Sequence, residues 1–419
     1  MKFISGFRCT ECGTLYPSDT PMNLCPKDDR PVKMEINTEA LAEAYPDMSW
    51  YRPEVNNMWR FGPLMPFDIG NPEQANKVKT LGEGHTPVLA MTKHPFAEQY
   101  GITLFLKDEG QAHSGYGANP TGSFKDRGMA MVTTMASHFG LTKLAIPTQG
   151  NAGDSLTEYG AKHHLGVSVV MPDDTPMTIM GKVAAYQHIY DKIELHLVKG
   201  TIREAGAFMK EHLLPDGFFN CATFQEPGWR IEGKKTMGLE LAEPWPGLKE
   251  QWQLPDVVLY PTGGGTGIQG MWKAFDELEA LGVIEAKRPK IISVQSENNA
   301  PVVDAVKKGL EDTVPTDGGD TLAVGLNVPG GVGQKAVLKV LRESKGGGVC
   351  VSEDAIAKHT RDIYQKTRLW ISPEGAACFA AIPEAVKQGL IKPGNTVVCF
   401  NTGSAEKYWP SVRHLFNAT

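Results

Sequence analysis

Lysine becomes a reagent when something keeps its amine neutral, and Lys125 sits where that can happen. Residues 119–128 read Asn-Pro-Thr-Gly-Ser-Phe-Lys-Asp-Arg-Gly. The Pro, Gly and Ser residues make a loop, and an amphipathic pattern beginning near Lys125 makes a helix. The amine then lies at the positive end of the helix dipole, which disfavours the ammonium. A neutral lysine attacks carbonyls and forms Schiff bases. The ordinary alternative is a solvated first turn made of Lys125, Asp126 and Arg127.

Three further loops have the composition of ligand-binding turns. Pro-Thr-Gln-Gly-Asn-Ala-Gly-Asp-Ser at 147–155 offers glycines for close backbone approach and helix-start N–H groups for an anion. Asn151 within it both donates and accepts hydrogen bonds. Pro-Thr-Gly-Gly-Gly-Thr-Gly-Ile at 261–268 lacks the trailing Gly-Lys-Ser/Thr of a nucleotide P-loop. It reads instead as a nest of donors suited to one phosphate monoester, formed by Gly263, Gly264, Gly265, Thr266 and Gly267. Asn-Thr-Gly-Ser-Ala-Glu-Lys-Tyr at 401–408 places the Thr402 hydroxyl directly after an apolar run. Taken singly, each is also an ordinary turn between a strand and a helix. Arg230 opens Arg-Ile-Glu-Gly-Lys-Lys-Thr at 230–236, where a guanidinium can grip a phosphate bidentately or simply decorate a helix turn.

A fourth cluster is of another kind. Two residues separate Cys9 from Cys12, and Cys25 is followed at the same interval by Asp28. Three thiolates and a carboxylate make a candidate zinc set, with a metal-free knuckle as the alternative. Cys378 and Cys399 lie in apolar segments and read as core residues. Seven cysteines in this distribution do not form a disulfide framework.

The elements that must position these groups repeat in order. Strand-like runs fall at 103–107, 143–148, 168–171, 194–198, 257–260, 291–295 and 396–400, with helical patterns at 125–139, 154–164 and 270–281. Gly140, Gly166 and Gly282 stand where helix C-caps are expected. Alternation of this sort predicts an α/β fold with mostly parallel sheets, whose ligands bind where strands lead into helices. The expected division is a ribbon-like module at 1–35, an arm and the start of the catalytic body at 36–100, a smaller α/β domain at 101–225 and a larger one at 226–419. Trp50, Trp59 and Phe61 are expected to pack the arm against the body.

Hydrophobic residues make up 41% and charged residues 21%, and the net charge is −6, so no electrostatic feature points to nucleic acid or an anionic membrane. No apolar run approaches the ~18 residues of a membrane span. The start, Met-Lys-Phe-Ile-Ser-Gly-Phe, lacks the long apolar stretch expected of a signal peptide. A cytoplasmic protein is the expectation.

From about Phe7 to Tyr408 the chain resembles the threonine synthase family of fold-type-II pyridoxal-phosphate enzymes. The resemblance is carried by the Lys125 string, the Gly-Asn loop, the Gly-rich loop, the Thr-Gly-Ser-Ala-Glu-Lys segment, the Arg-Ile-Glu-Gly turn, and Leu-Gly-Glu-Gly-His-Thr-Pro at 81–87. It also covers Trp59-Arg60 and Ile-Ser-Pro-Glu-Gly-Ala-Ala at 371–377, where Glu374 is expected to face the site. The resemblance implies two α/β domains with pyridoxal 5′-phosphate between them, held through Lys125. Asn151 would contact its 3′-oxygen and Gly263–Gly267 its phosphate, while Thr402 would meet the pyridine nitrogen. A hydroxyl there makes the ring a weaker electron sink than a carboxylate would. Thr148, Gln149, Gly150, Asn151 and Ala152 would hold the substrate α-carboxylate, and Arg230 an anionic group. The implied reaction is conversion of O-phosphohomoserine and water to threonine and phosphate. The alternatives are β-elimination or β-replacement on serine, threonine or an O-phosphoserine-like substrate, or a non-enzymatic cofactor-binding regulator or adaptor. A small-molecule amino acid is the expected partner, and a homodimer is left open. Some members carry a zinc ribbon; here Asp28 stands where the fourth Cys is expected. The chain also departs from the family in the insert 113–118 and in Thr-Gln-Gly-Asn-Ala, where Ser-Thr-Gly-Asn-Thr is frequent.

Overall fold

The computed structural model describes residues 1–222 and 228–416. They form two compact units that interleave along the chain: Met1–Gly84 with Asn119–Thr236, and His85–Ala118 with Met237–Thr419. The sequence reading ran its segments continuously, with boundaries at 100 and 225, and the second of these lies outside the described residues. The strand at 103–108 explains the difference. Its Val and Phe neighbours recruit it into a sheet whose other strands, Val88–Ala90 apart, come from the C-terminal half.

The first unit holds a four-stranded parallel sheet in the order Ile193–Val198, Gly166–Pro172, Lys143–Pro147 and Phe219–Asn220. Gly166–Pro172 is buried throughout, as a central parallel strand must be when helices cover both faces. Ala145 and Val170 form a small core with Ala205, Met209 and Leu213. A separate antiparallel sheet, ordered Leu15–Tyr16, Ile4–Cys9, Val32–Ile36, carries the cysteine cluster. Trp50, Trp59 and Phe61 are almost wholly buried.

The second unit is built on six strands in the order Gly347–Val351, Lys290–Ser296, Val257–Pro261, Thr396–Asn401, Thr103–Asp108 and Val88–Ala90. All neighbours are parallel except the last pair. Alternate residues (Val257, Leu259, Ile292, Val294, Val397, Cys399, Leu104, Leu106) face one core, covered by the helix Pro373–Lys387. Tyr260 and Phe400 point to the other face and meet edge to face at 5.2 Å. Inside the sheet, the Lys107 ammonium pairs with Glu240 at 2.6 Å, both side chains being buried. Glu240 also accepts the His85 amide at 2.7 Å and the Thr86 amide at 3.2 Å.

Gly140 and Gly282 adopt left-handed φ of 69° just past their helices, as a C-terminal stop requires. Gly166 does not: it is the first residue of its strand, and His164, with φ 57°, makes the left-handed turn. Among the described residues no helix is long and apolar enough to cross a membrane.

Candidate functional site

In the first unit the loop before Lys125 is fixed by one buried carboxylate. Asp126 accepts the Thr121 amide at 2.7 Å, the Thr121 hydroxyl at 2.6 Å and the Ser155 hydroxyl at 2.6 Å. Gly122 turns the loop with φ 74°, a value side-chain-bearing residues resist, and its amide donates to Asn119 O at 2.8 Å. Lys125 follows as the first residue of the helix Lys125–His138, half-buried, its amine 4.6 Å from the centre of the Phe124 ring. The hydrogen-bonded loop and the helix that follows it fix the backbone on which Lys125 sits.

The helix Trp229–Ala242 crosses Lys125–His138 at two glycines. A Cβ on Gly233 would lie 1.9 Å from the Arg127 carbonyl oxygen, and one on Gly128 would lie 3.3 Å from Lys234 Cε. The crossing brings the Lys234 amine to 5.6 Å from the same Phe124 ring. Sequence reasoning passed over Lys234 because it reads as a surface charge. Lys235 is likewise buried, bonded to Glu232 and Leu64 O, each at 2.6 Å. Arg230 is fully buried and donates to Cys221 O at 2.9 Å.

The Gly-Asn loop runs from Lys143–Pro147 straight into the helix Asn151–Lys162. The helix was expected to start at 154. It begins three residues earlier, because Gly150 is the extended N-cap and Gly153 packs where a Cβ would be 2.5 Å from Thr148. Asn151, Ala152 and Gly153 therefore make the first helical turn, with the Gly153 amide donating to Gly150 O at 3.3 Å. Thr148 and Ala152 are buried; Gln149, Gly150 and Asn151 are half-exposed. The Thr148 hydroxyl accepts the Gly150 amide at 3.1 Å and so shapes the turn.

In the second unit the Gly-rich loop leaves Val257–Pro261 and enters the helix Thr266–Ala280. Its glycines are sterically required. A Cβ on Gly263 would stand 2.4 Å from Gly325 O, on Gly265 2.4 Å from Val337, and on Gly267 2.0 Å from the Tyr260 hydroxyl. Gln295 donates to Thr262 O at 3.0 Å and Gln334 to Gly263 O at 3.3 Å. Across a trans peptide the N–H opposes the C=O, so these bonds turn the Gly263 and Gly264 amides the other way. Gly263 and Gly264 are also the half-exposed members of the loop. Aligned amides at the head of a fifteen-residue helix fit a phosphate monoester.

Next to it, Thr396–Asn401 delivers Thr402, which is 7% exposed. Asn401 anchors this end: its side-chain oxygen accepts the Ser372 amide at 3.0 Å, and its amide nitrogen donates to Asp108 at 2.7 Å. Glu374 is buried, with one oxygen accepting the Gly325 amide at 2.8 Å, so it braces the turn that touches Gly263. Burial pushes its carboxyl above the ordinary range, against the opposing pull of its backbone and hydroxyl donors.

The cysteine cluster is also assembled. Cys9, Cys12, Cys25 and Asp28 offer ligand atoms all within 4.8 Å of one another. The Cys12 and Cys25 sulfurs are 3.7 Å apart, and Cys9 Sγ is 3.3 Å and 3.4 Å from the two Asp28 oxygens.

A family model described as pyridoxal-phosphate dependent enzyme matches residues 79–403. A threonine synthase of Methanosarcina acetivorans is 28% identical over 397 residues, covering 94% of this chain and 90% of the relative. That of Methanocaldococcus jannaschii is 27% identical, covering 96% and 92%. Among solved structures, diaminopropionate ammonia lyase from Escherichia coli superposes with a TM-score of 0.65 at 15% identity, over 89% of this chain and 97% of that one. Threonine deaminase isoform 2 from Solanum lycopersicum does so with a TM-score of 0.63 at 24% identity, over 80% and 84%. At these identities the structural matches establish the fold, which is fold type II.

Proposed function

This chain belongs to the pyridoxal-phosphate dependent enzyme family, as a lyase of fold type II, and we propose that it converts O-phosphohomoserine and water to threonine and phosphate. The observation that carries the reaction is the similarity to threonine synthases along 94% and 96% of the chain. Pyridoxal phosphate supplies a carbonyl carbon for the substrate amine and a sink for the electrons left when a proton departs from Cα.

The residues divide the work as follows. Lys125 would hold the cofactor before substrate arrives, and its amine would then move protons at Cα and Cβ. A base so placed contributes roughly 10²–10⁴ in rate. Gly263, Gly264, Gly265, Thr266 and Gly267 would take the cofactor phosphate on their amides, Thr402 would offer a hydroxyl to the ring nitrogen, and Asn151 would hold the 3′-oxygen. Amides and side chains of Thr148, Gln149, Gly150, Asn151 and Ala152 fix the substrate α-carboxylate, which orients the Cα–H bond. Arg230 supplies positive charge toward the phosphate that leaves Cγ, while water adds at Cβ.

Purified holoenzyme given O-phosphohomoserine should release phosphate and threonine in equal amounts. Ammonia released from serine or threonine, with no phosphate from O-phosphohomoserine, would establish the second reading, β-elimination. That reading is favoured by the ammonia lyase and deaminase among the structural matches. The same proposal puts the enzyme in the cytoplasm, and light scattering tests the homodimer that goes with it.

Cys9, Cys12, Cys25 and Asp28 are proposed as a zinc site. With zinc–sulfur bonds of about 2.3 Å, tetrahedral geometry sets sulfur–sulfur edges of about 3.8 Å. The Cys12–Cys25 separation of 3.7 Å matches that edge. One ion there would tie the first strand of the small sheet to the loop after Tyr16.

A further inference from the structure

Three neighbouring parallel strands of the second unit, Val257–Pro261, Thr396–Asn401 and Thr103–Asp108, end side by side. The first end carries the Gly-rich loop and the second Thr402. The third carries residues 108–113, which the proposed reaction leaves without a task. Ligands in parallel sheets bind beyond such ends. The third end also touches the second: the Glu109 amide donates to Asn401 O at 2.8 Å, and a Cβ on Gly110 would lie 2.4 Å from the Gly403 carbonyl.

Asp108 lies at this end with its side chain fully buried. Its carboxylate accepts the Gly110 amide at 3.0 Å, Asn401 Nδ2 at 2.7 Å, Gln111 Nε2 at 3.0 Å and His113 Nε2 at 2.8 Å. The first three donors already serve both oxygens, so satisfying a buried charge does not require the histidine. What the fourth bond does is orient the ring. A carboxylate only accepts, so Nε2 carries the proton and Nδ1 becomes the outer nitrogen. The His113 side chain remains 22% exposed, so its ring is reachable from solvent. A buried carboxylate behind a half-exposed imidazole is how proteins fix a working histidine. His113 also opens the insert in which this chain departs from the threonine synthase pattern.

We propose that His113, oriented by Asp108, is a substrate-binding residue whose Nδ1 holds an anionic side-chain group of the amino-acid substrate, a phosphate in the first instance. Protonated, Nδ1 donates to a phosphate oxygen; neutral, it accepts from the hydroxyl of a phosphate monoanion. The proposal rests on the phosphorylated-substrate reading above.

The test uses holoenzyme and H113Q, whose amide still donates to Asp108, with thermal midpoint and cofactor absorbance as controls. Calorimetric titration compares 2-amino-5-phosphonopentanoate, the methylene isostere of O-phosphohomoserine, with norvaline, the same chain lacking the anion. H113Q should weaken the phosphonate tenfold or more and leave norvaline unchanged. In ¹⁵N-histidine spectra of wild type, the His113 Nδ1 resonance should move with the phosphonate and not with norvaline. Equal losses for the two ligands, no loss, or a wild type that ignores the phosphonate overturns the proposal. A phosphonate response through His113 without turnover of O-phosphohomoserine refutes the reaction and leaves His113 standing. Normal turnover with unaltered phosphonate binding in H113Q does the reverse.

Discussion

Replacing Gly233 with alanine should disturb Lys125 without touching it. The added Cβ would sit 1.9 Å from the Arg127 carbonyl oxygen and 2.6 Å from its carbon. Ordinary contact needs about 3.5 Å, and both clashing atoms are backbone, so the two helices must separate by more than an ångström. Overpacking of this severity costs about 3 kcal/mol, the upper end of its usual range. Alanine's better helix propensity returns about 1 kcal/mol. The net loss of about 2 kcal/mol lowers the melting midpoint by roughly 4–8 °C for a unit of this size. Displacing a reacting group by about an ångström costs on the order of 10²-fold in rate. Calorimetry and steady-state kinetics on G233A should therefore show both losses. The control is Gly206→Ala, in the helix Ile202–Phe208, where the new Cβ meets nothing within 4 Å. That variant should match or slightly exceed wild-type stability. If G233A melts and turns over like wild type, the close helix crossing does not exist, and the placement of Lys125 rests on something else.

Other outcomes can be checked in the same preparations. Borohydride treatment of holoenzyme should fix the cofactor to the peptide containing Lys125, and label on any other lysine removes its assigned role. Arg230→Ala should weaken phosphorylated substrates by about 2–5 kcal/mol through loss of a buried charge partner; equal losses for unphosphorylated ones would make it structural through its bond to Cys221 O. The raised carboxyls of Glu83 and Glu374, both pushed up by burial, hold protons more tightly in the folded chain than unfolded. Their stabilising contribution is thus complete below the ordinary carboxyl range and is lost as pH rises through the raised folded values. E374Q should accordingly lose less stability than wild type when melting midpoints are compared from pH 4 to pH 8, and parallel curves would refute the shift. Metal analysis should find one zinc per chain, its removal by chelator lowering the melting midpoint; C25A should carry none, and a full zinc complement in C25A would exclude the Cys9–Asp28 site.

What could be read from residues alone follows from how each part is encoded. The strands at 143–147, 257–261 and 396–401 announce themselves because a buried parallel strand is a run of apolar residues bounded by turn formers. The strand Gly347–Val351 does not, since it reads Gly-Gly-Val-Cys-Val and its glycines look like a loop. The Gly-Asn loop and the Gly-rich loop were visible as glycine-bearing stretches directly after such runs. What braces them was not. Asp126 to Ser155 and Asp108 to Asn401 are bonds between residues far apart in sequence, whose side chains carry no local sign of the partner. The charged turn at 230–235 misled in the other direction. Arg230, Glu232, Lys234 and Lys235 look solvated and are all buried, because two crossing glycines pull their helix against the one bearing Lys125. The interleaving of the units also lay beyond local pattern, being decided by which sheet accepts residues 103–108.

That interleaving sets a timetable for synthesis. Thr103–Asp108 finds its parallel neighbour in Thr396–Asn401, at the far end of the chain. With about 290 residues still to come at ~5–20 residues per second, the early strand waits roughly 15–60 s on the ribosome before its partner is made. Throughout that interval one edge of Leu-Phe-Leu sequence has no mate on that side, whereas all the strands of the first unit have been translated by residue 220. The nascent chain therefore carries an assembled Lys125 loop well before the Thr402 end exists. A chaperone acting on this protein would find that unpaired edge at residues 103–108 only until residues 396–401 are made.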